Sequence, residues 1–284
     1  SSGYAAGVGV IPALVSRGDR LYLDRLCHAC LYDGARLSGA RIIRYRHNDF
    51  AHLRELLEKD SNAAGRALVV TDTVFSMDGD RALLAQISEL CRRSGALLVA
   101  DEAHAAGVIG PGGRGLAAEA GLAGADVLVM GTLSKAFGVS GAYVACNSAV
   151  REYLVNTCRS FIFSTAPPPP VVAAATRAVE IAGSMDSQRA RLAQMAEAFR
   201  GKLRALGVDT LASSTQIVPA VVGDANSALE LSDRLRKAGI FAPAVRPPTV
   251  PEGTSRIRFS LTTALSDEEF EEILGIIEKV FGRV

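Results

Sequence analysis

From about residue 20 to residue 147, short apolar runs alternate with stretches of helical character. Leu21–Leu23, Arg41–Tyr45, Ala67–Val70, Ala96–Ala100, Val127–Met130 and Ala142–Ala145 are brief and apolar enough to read as strands. Phe50–Leu57 and Leu83–Arg93, lying between them, read as helices. Such alternation predicts a mostly parallel α/β sheet with helices on both faces. Ligands of these sheets bind beyond the carboxyl ends of the strands. The opening Ser1-Ser2-Gly3-Tyr4 reads as a helix N-terminus.

The pattern changes after the run Pro167 to Pro170, which stops the preceding element and opens a helix over Val171–Gly183, followed by another over Ser187–Leu206. A strand over Ile217–Val222, a helix over Ser227–Ala238, a strand over Arg256–Leu261 and a final helix over Asp267–Phe281, with Ser266 as its N-cap, complete a small α+β lobe. The expected division is a large domain over 1–165, connecting helices over 166–209 and a small C-terminal domain over 210–284.

Composition narrows the function class. A chain of 284 residues, 49% hydrophobic, buries one substantial core and a satellite lobe. A net charge of +1 without runs of like charge offers no footprint for nucleic acid. No apolar stretch approaches the roughly 20 residues of a membrane span, so no membrane partner is expected. The cysteines Cys27, Cys30, Cys91, Cys146 and Cys158 are odd in number and unclustered apart from one pair, which points to reduced thiols in the cytoplasm. Cys27-His28-Ala29-Cys30 has zinc-like spacing but no second ligand pair downstream, so no metal is expected. Two further motifs read as structural: Gly110 to Gly115 as a flexible turn, and His47 and His52 as surface residues. No start methionine or cationic leader precedes the first apolar stretch, which reads as a chain entered part-way, with the N-terminal part of the large domain expected to be missing.

The candidate chemistry gathers at strand ends. Lys59, Lys202, Lys237 and Lys279 lie among charged or leucine neighbours, whereas Lys135 follows a buried-looking strand in Thr132-Leu133-Ser134-Lys135-Ala136-Phe137-Gly138. Small and apolar neighbours predict a desolvated, easily deprotonated amine suited to imine formation. Ala96–Ala100 leads into Asp101-Glu102-Ala103-His104, and Ala67–Val70 leads through Thr71-Asp72 to Ser76-Met77-Asp78-Gly79-Asp80. A lysine and an aspartate on neighbouring parallel strands are what pyridoxal 5'-phosphate (PLP) requires: the amine holds the aldehyde and the carboxylate keeps the pyridine nitrogen protonated.

Ser2-Gly3-Tyr4-Ala5-Ala6, Asp24 to Ser38 with His28, Phe75 to Asp80, Asp101-Glu102-Ala103-His104, Thr132 to Lys135 and Arg246-Pro247-Pro248-Thr249-Val250-Pro251 together make the whole chain resemble the α-oxoamine synthases. The resemblance implies a fold-type I PLP-dependent transferase that condenses an amino acid with an acyl thioester and releases carbon dioxide. It implies Lys135 as the cofactor-bearing lysine and base, Asp101 on the pyridine nitrogen, His104 on the ring's phenolic oxygen, His28 stacked on the ring and aiding proton transfer, and Ser76 as a further polar contact. Gly3 and Tyr4, at a helix N-terminus, and Thr132 would hold the phosphate. Ser164 or Thr165 of a second subunit would complete that cup, which implies a homodimer. Arg258 would bind the substrate carboxylate as a bidentate fork, and Thr249 and Arg246 would line the acyl side. L-alanine with a pimeloyl thioester is the implied substrate pair. Glycine or serine with another acyl donor, or a non-catalytic PLP-binding regulator, are the alternatives. The family motif commonly continues Ala-Asn where this chain has Ala6-Gly7.

Overall fold

The computed structural model describes residues 1–122 and 127–282 and divides into two compact units: Ser1–Phe75 with Ala82–Asp186, and Ser76–Arg81 with the chain from Ser187 onward. The first holds α1 (Gly3–Leu14), β1 (Arg20–Asp24), α2 (Ala29–Ser38), β2 (Arg41–Tyr45), α3 (Phe50–Lys59), β3 (Ala67–Asp72), α4 (Leu84–Ser94), β4 (Leu97–Asp101), α5 (Leu116–Glu119), β5 (Leu128–Thr132), β6 (Ala142–Ala145), α6 (Ser148–Thr157), α7 (Arg159–Ile162) and α8 (Pro169–Gly183). Its strands form one sheet in the order β2-β1-β3-β4-β5-β6, parallel throughout except for β6, which runs antiparallel to β5. The α/β reading of the sequence therefore holds.

Every residue of β1 and β3 is buried, the mark of parallel strands covered on both faces. Leu21, Leu23, Leu68, Val70 and Val99 meet Val10, Ile11 and Leu14 of α1 and Leu31 and Ala35 of α2 in the larger core. Those two helices touch through glycines, since a Cβ on Gly34 would lie 2.4 Å from the Gly7 carbonyl oxygen. Left-handed Gly39 and Gly95 terminate α2 and α4. Asp49 caps α3 by accepting the His52 amide, and Asn147 caps α6 by accepting the Val150 amide. None of the described helices is long and apolar enough to cross a membrane.

The second unit contains α9 (Asp186–Ala205), whose first residue belongs to the first unit, then β7 (Ile217–Gly223), α10 (Ala225–Lys237), β8 (Ala244–Val245), β9 (Ser255–Ser260) and α11 (Asp267–Phe281). Its antiparallel sheet has the order β7-β9-β8. Alternation along the central strand sends Ile257 and Phe259 into a core with Phe199, Leu235, Ile277 and Phe281, leaving Arg256 and Arg258 on the other face. Ser266 and Glu269 close a reciprocal capping box at the start of α11.

Candidate active site

Parallel pairing brings the chemistry of the large sheet to one edge. Asp72, Asp101 and Thr132 are the last residues of β3, β4 and β5, and the register sets Asp72 directly beside Asp101. Asp101 is 5% exposed and accepts the Ala103 amide at 2.8 Å. Burial pushes its carboxyl up to about 6, opposed by that hydrogen bond and by the Lys135 ammonium. Asp72 is 4% exposed. One of its oxygens accepts the His28 amide at 3.0 Å, while the other is buried without a hydrogen-bond partner. Burial and the neighbouring Asp101 push the Asp72 carboxyl well above the usual range. Sequence reasoning passed through Asp72 without giving it a role, because its pairing with Asp101 is a property of strand register.

The turn after β5 is tied by Thr132, whose hydroxyl donates to the Gly141 carbonyl at 3.1 Å, accepts the Ser134 amide at 3.3 Å and lies 2.8 Å from the Ser134 hydroxyl. That turn presents Lys135 with its Nζ 2.9 Å from His104 Nε2. The amine is exposed, which corrects the expectation of a desolvated lysine: Ser134, Ala136 and Gly138 are too small to cover it. Ser134 is a hydroxyl that the sequence reading missed, although it adjoins Lys135 in the same motif.

Gly3 opens α1 against this turn, where a Cβ would meet Thr132 Cβ at 3.2 Å. The Ser2 hydroxyl accepts the Ala5 amide. Gly3 and Tyr4 occupy the first turn, where backbone N–H groups have no intrahelical partner and the helix dipole favours an anion. The Tyr4 hydroxyl donates to Asp33 at 2.8 Å, so what Tyr4 offers an anion is its amide. His28 caps α2, with Nδ1 accepting the Cys30 amide. Desolvation and then Lys135 lower its pKa, with Asp33 opposing. Ser164 and Thr165 are exposed on the stretch that follows α7.

The remaining expected residues belong to the second unit. Arg258 is half-buried; its Nε donates to the Ser76 carbonyl and its Nη1 to the Ser260 hydroxyl at 2.7 Å. Ser76 is buried in the same unit. Arg256 pairs with Asp78. Arg246 and Thr249 are exposed at either end of a turn in which the Arg246 carbonyl accepts the Thr249 amide at 3.0 Å.

Two motifs read as structural are more ordered than their composition suggests. Gly110 to Gly115 is not a flexible turn: buried Glu102 accepts the Leu116 and Ala117 amides at 3.0 and 2.7 Å and the Thr73 hydroxyl at 3.0 Å, pinning the segment and the start of α5. His47 is not a surface residue, since it packs edge-on against Phe75 and lies 3.0 Å from an oxygen of buried Asp24.

This donor set fits PLP. A primary amine, a buried ionisable carboxyl on the neighbouring strand and a helix N-terminus beside the Thr132 turn match the aldehyde, ring nitrogen and phosphate in chemical type. Comparison with known proteins agrees. The model for aminotransferase class I and II matches residues 1–277. An 8-amino-7-oxononanoate synthase of Geobacter sulfurreducens is 48% identical over 99% of this chain and 72% of its own length. A serine palmitoyltransferase from S. paucimobilis with a bound PLP-myriocin aldimine superposes over the whole chain and 72% of its own, with a TM-score of 0.92 at 32% identity. The 8-amino-7-oxononanoate synthase of Francisella tularensis superposes over 98% of this chain and 80% of its own, with a TM-score of 0.85 at 29% identity.

Proposed function

The chain belongs to the α-oxoamine synthases, fold-type I PLP enzymes that condense an amino acid with an acyl thioester and release carbon dioxide, and from that premise we propose that it joins L-alanine to a pimeloyl thioester, giving 8-amino-7-oxononanoate for biotin biosynthesis. The observation that carries the substrate choice is the 48% identity, along almost the entire chain, to a relative named for that product. Serine palmitoyltransferase is the second reading, favoured by its higher TM-score. Identity takes precedence here, because a TM-score reports the backbone that the family shares, whereas substrate choice depends on side chains.

PLP, when bound, supplies an electron sink for the charge left on the substrate's α-carbon. In our reading Asp101, buried and ionisable, holds the proton on the ring nitrogen. Lys135 Nζ anchors the cofactor and, once released by the incoming amino acid, takes the α-proton, with His104 Nε2 in hydrogen-bond reach. The first turn of α1, with Thr132, binds the phosphate, and Ser76 adds a polar contact. His28 covers the ring. The family resemblance would assign Arg258, of the second unit, to a substrate carboxylate as a bidentate fork, and Arg246 and Thr249 to the acyl side.

We also propose a homodimer in which Ser164 or Thr165 of one subunit completes the phosphate site of the other. Support comes from the apolar side chains exposed around those residues: Phe161 is 64% and Phe163 72% exposed, with Val172, Val179 and Ile181 along α8. The free thiols of all five cysteines suit a cytoplasmic enzyme.

The test is a substrate matrix of alanine, glycine and serine against pimeloyl-, acetyl-, succinyl- and palmitoyl-CoA, read as thiol release. Alanine with pimeloyl-CoA is expected to give the highest kcat/KM, by about tenfold or more over each competitor. A preference for serine with palmitoyl-CoA would transfer the assignment to the second reading.

A further inference from the structure

His28 is held from both ends. Its amide donates to Asp72, and its Nδ1 faces two groups of one residue, the Cys30 amide at 3.3 Å and Cys30 Sγ at 3.0 Å. An amide can only donate, so Nδ1 is an acceptor and the proton of the neutral ring resides on Nε2. Cys30 is 2% exposed, and burial raises its thiol to about 12, so the sulfur keeps its hydrogen and has it to give. Protonating Nδ1 would set a new N–H against the Cys30 amide and would require the thiol to turn from donor to acceptor.

The sulfur owes its place to a glycine on the neighbouring helix. A Cβ at Gly7 would fall 2.9 Å from Cys30 Sγ and 3.1 Å from both the Cys30 Cβ and its carbonyl oxygen. The side chain absent at Gly7 makes room for the sulfur of Cys30.

We propose that Cys30, seated by Gly7, is a positioning residue that locks His28 as the neutral Nε2–H tautomer, so that His28 offers a hydrogen-bond donor at Nε2, suited to a carbonyl or carboxylate oxygen of the bound substrate, and no base at Nδ1. The relevance to substrate rests on the PLP reading above; the tautomer does not. The charged and titratable groups around His28 are Lys135 on the turn after β5, Asp33 and Cys30 on α2, and Asp72 at the end of β3. Asp33 is itself engaged by the Tyr4 hydroxyl and by Arg36.

The experiment is ¹⁵N-histidine NMR on the full chain, with and without PLP, using His28→Asn to assign one of the four histidines. In the wild type, His28 is expected to carry its proton on Nε2 and to titrate below an ordinary histidine. Cys30→Ala, which removes the thiol and keeps the amide, should raise that midpoint by about half a unit, roughly a threefold change in ionisation constant. Cys30→Ser, which keeps a donor, should stay near the wild type, and Gly7→Ala should behave like Cys30→Ala. The acid limb of kcat/KM should follow the same order. A wild-type proton on Nδ1, or a Cys30→Ala midpoint equal to wild type, overturns the proposal. Because the cofactor-free chain reports the tautomer, failure of PLP to bind would be seen separately and would count only against the functional reading.

Discussion

Asp72 and Asp101 share one buried strip of sheet edge, and each therefore sets what the other can do. The Asp101 carboxyl is raised in the folded chain, so its contribution to stability is fully present below the unfolded value near 4 and is lost as pH rises through about 6. Without cofactor, stability should fall across that window by on the order of 3 kcal/mol. Urea unfolding at pH 5 and pH 7.5 would show it, and Asp101→Asn should flatten the difference. Burial raises the Asp72 carboxyl as well, so Asp72→Asn should gain stability relative to wild type as pH rises from about 5 to about 7.5. Asp72→Ala, which strips the acceptor from the His28 amide, should be less stable than Asp72→Asn by roughly 1–3 kcal/mol. Equal stabilities for the two variants would mean that the His28 amide does not depend on that acceptor. At this scale the sequence was informative about residue type and misleading about coverage. Lys135, Asp101 and His104 were recognisable from their motifs, yet the exposure of Lys135 and the pairing of the two aspartates depend on what folds over and beside them.

Among the elements, the glycine-rich segment before α5 shows how a buried carboxylate organises backbone. Gly115 has φ +93°, and a Cβ there would sit 2.6 Å from the Glu102 carboxylate. Gly115→Ala is therefore expected to destabilise by about 2–4 kcal/mol, through strain and the displacement of Glu102, measured as a lowered urea midpoint. Glu102→Gln keeps part of the network and should cost less than Glu102→Ala, which orphans the Leu116 and Ala117 amides. A Gly115→Ala midpoint equal to wild type would remove the steric argument. The strands of the parallel sheet were legible within a residue or two; in β1 and β3 complete burial leaves short, largely apolar runs. α6 and α7 were not read: α6 buries only Leu154 and α7 buries nothing, so neither imposes a periodic apolar stripe on its sequence.

For the whole molecule, the sequence pattern changes at the proline run, whereas the chain divides later, between Asp186 and Ser187; the membership of Ser76–Arg81 in the second unit was not legible, since it depends on contacts far apart in sequence, such as Thr215 to the Gly79 carbonyl and Arg258 to Ser76. Assembly belongs to this scale too. Replacing Phe161 and Phe163 together by serine removes exposed apolar surface without touching either core, and sedimentation should report a shift from dimer to monomer. An unchanged mass would place the subunit contact elsewhere. The central claim, that Lys135 and Asp101 hold one PLP between them at the ends of adjoining strands, is tested most directly by reducing the PLP-loaded enzyme with borohydride and mapping the modified peptide by mass spectrometry. The cofactor is expected to be fixed to Lys135, with no fixation in Lys135→Ala; attachment to Lys59, Lys202, Lys237 or Lys279 instead, or no attachment at all, would contradict it.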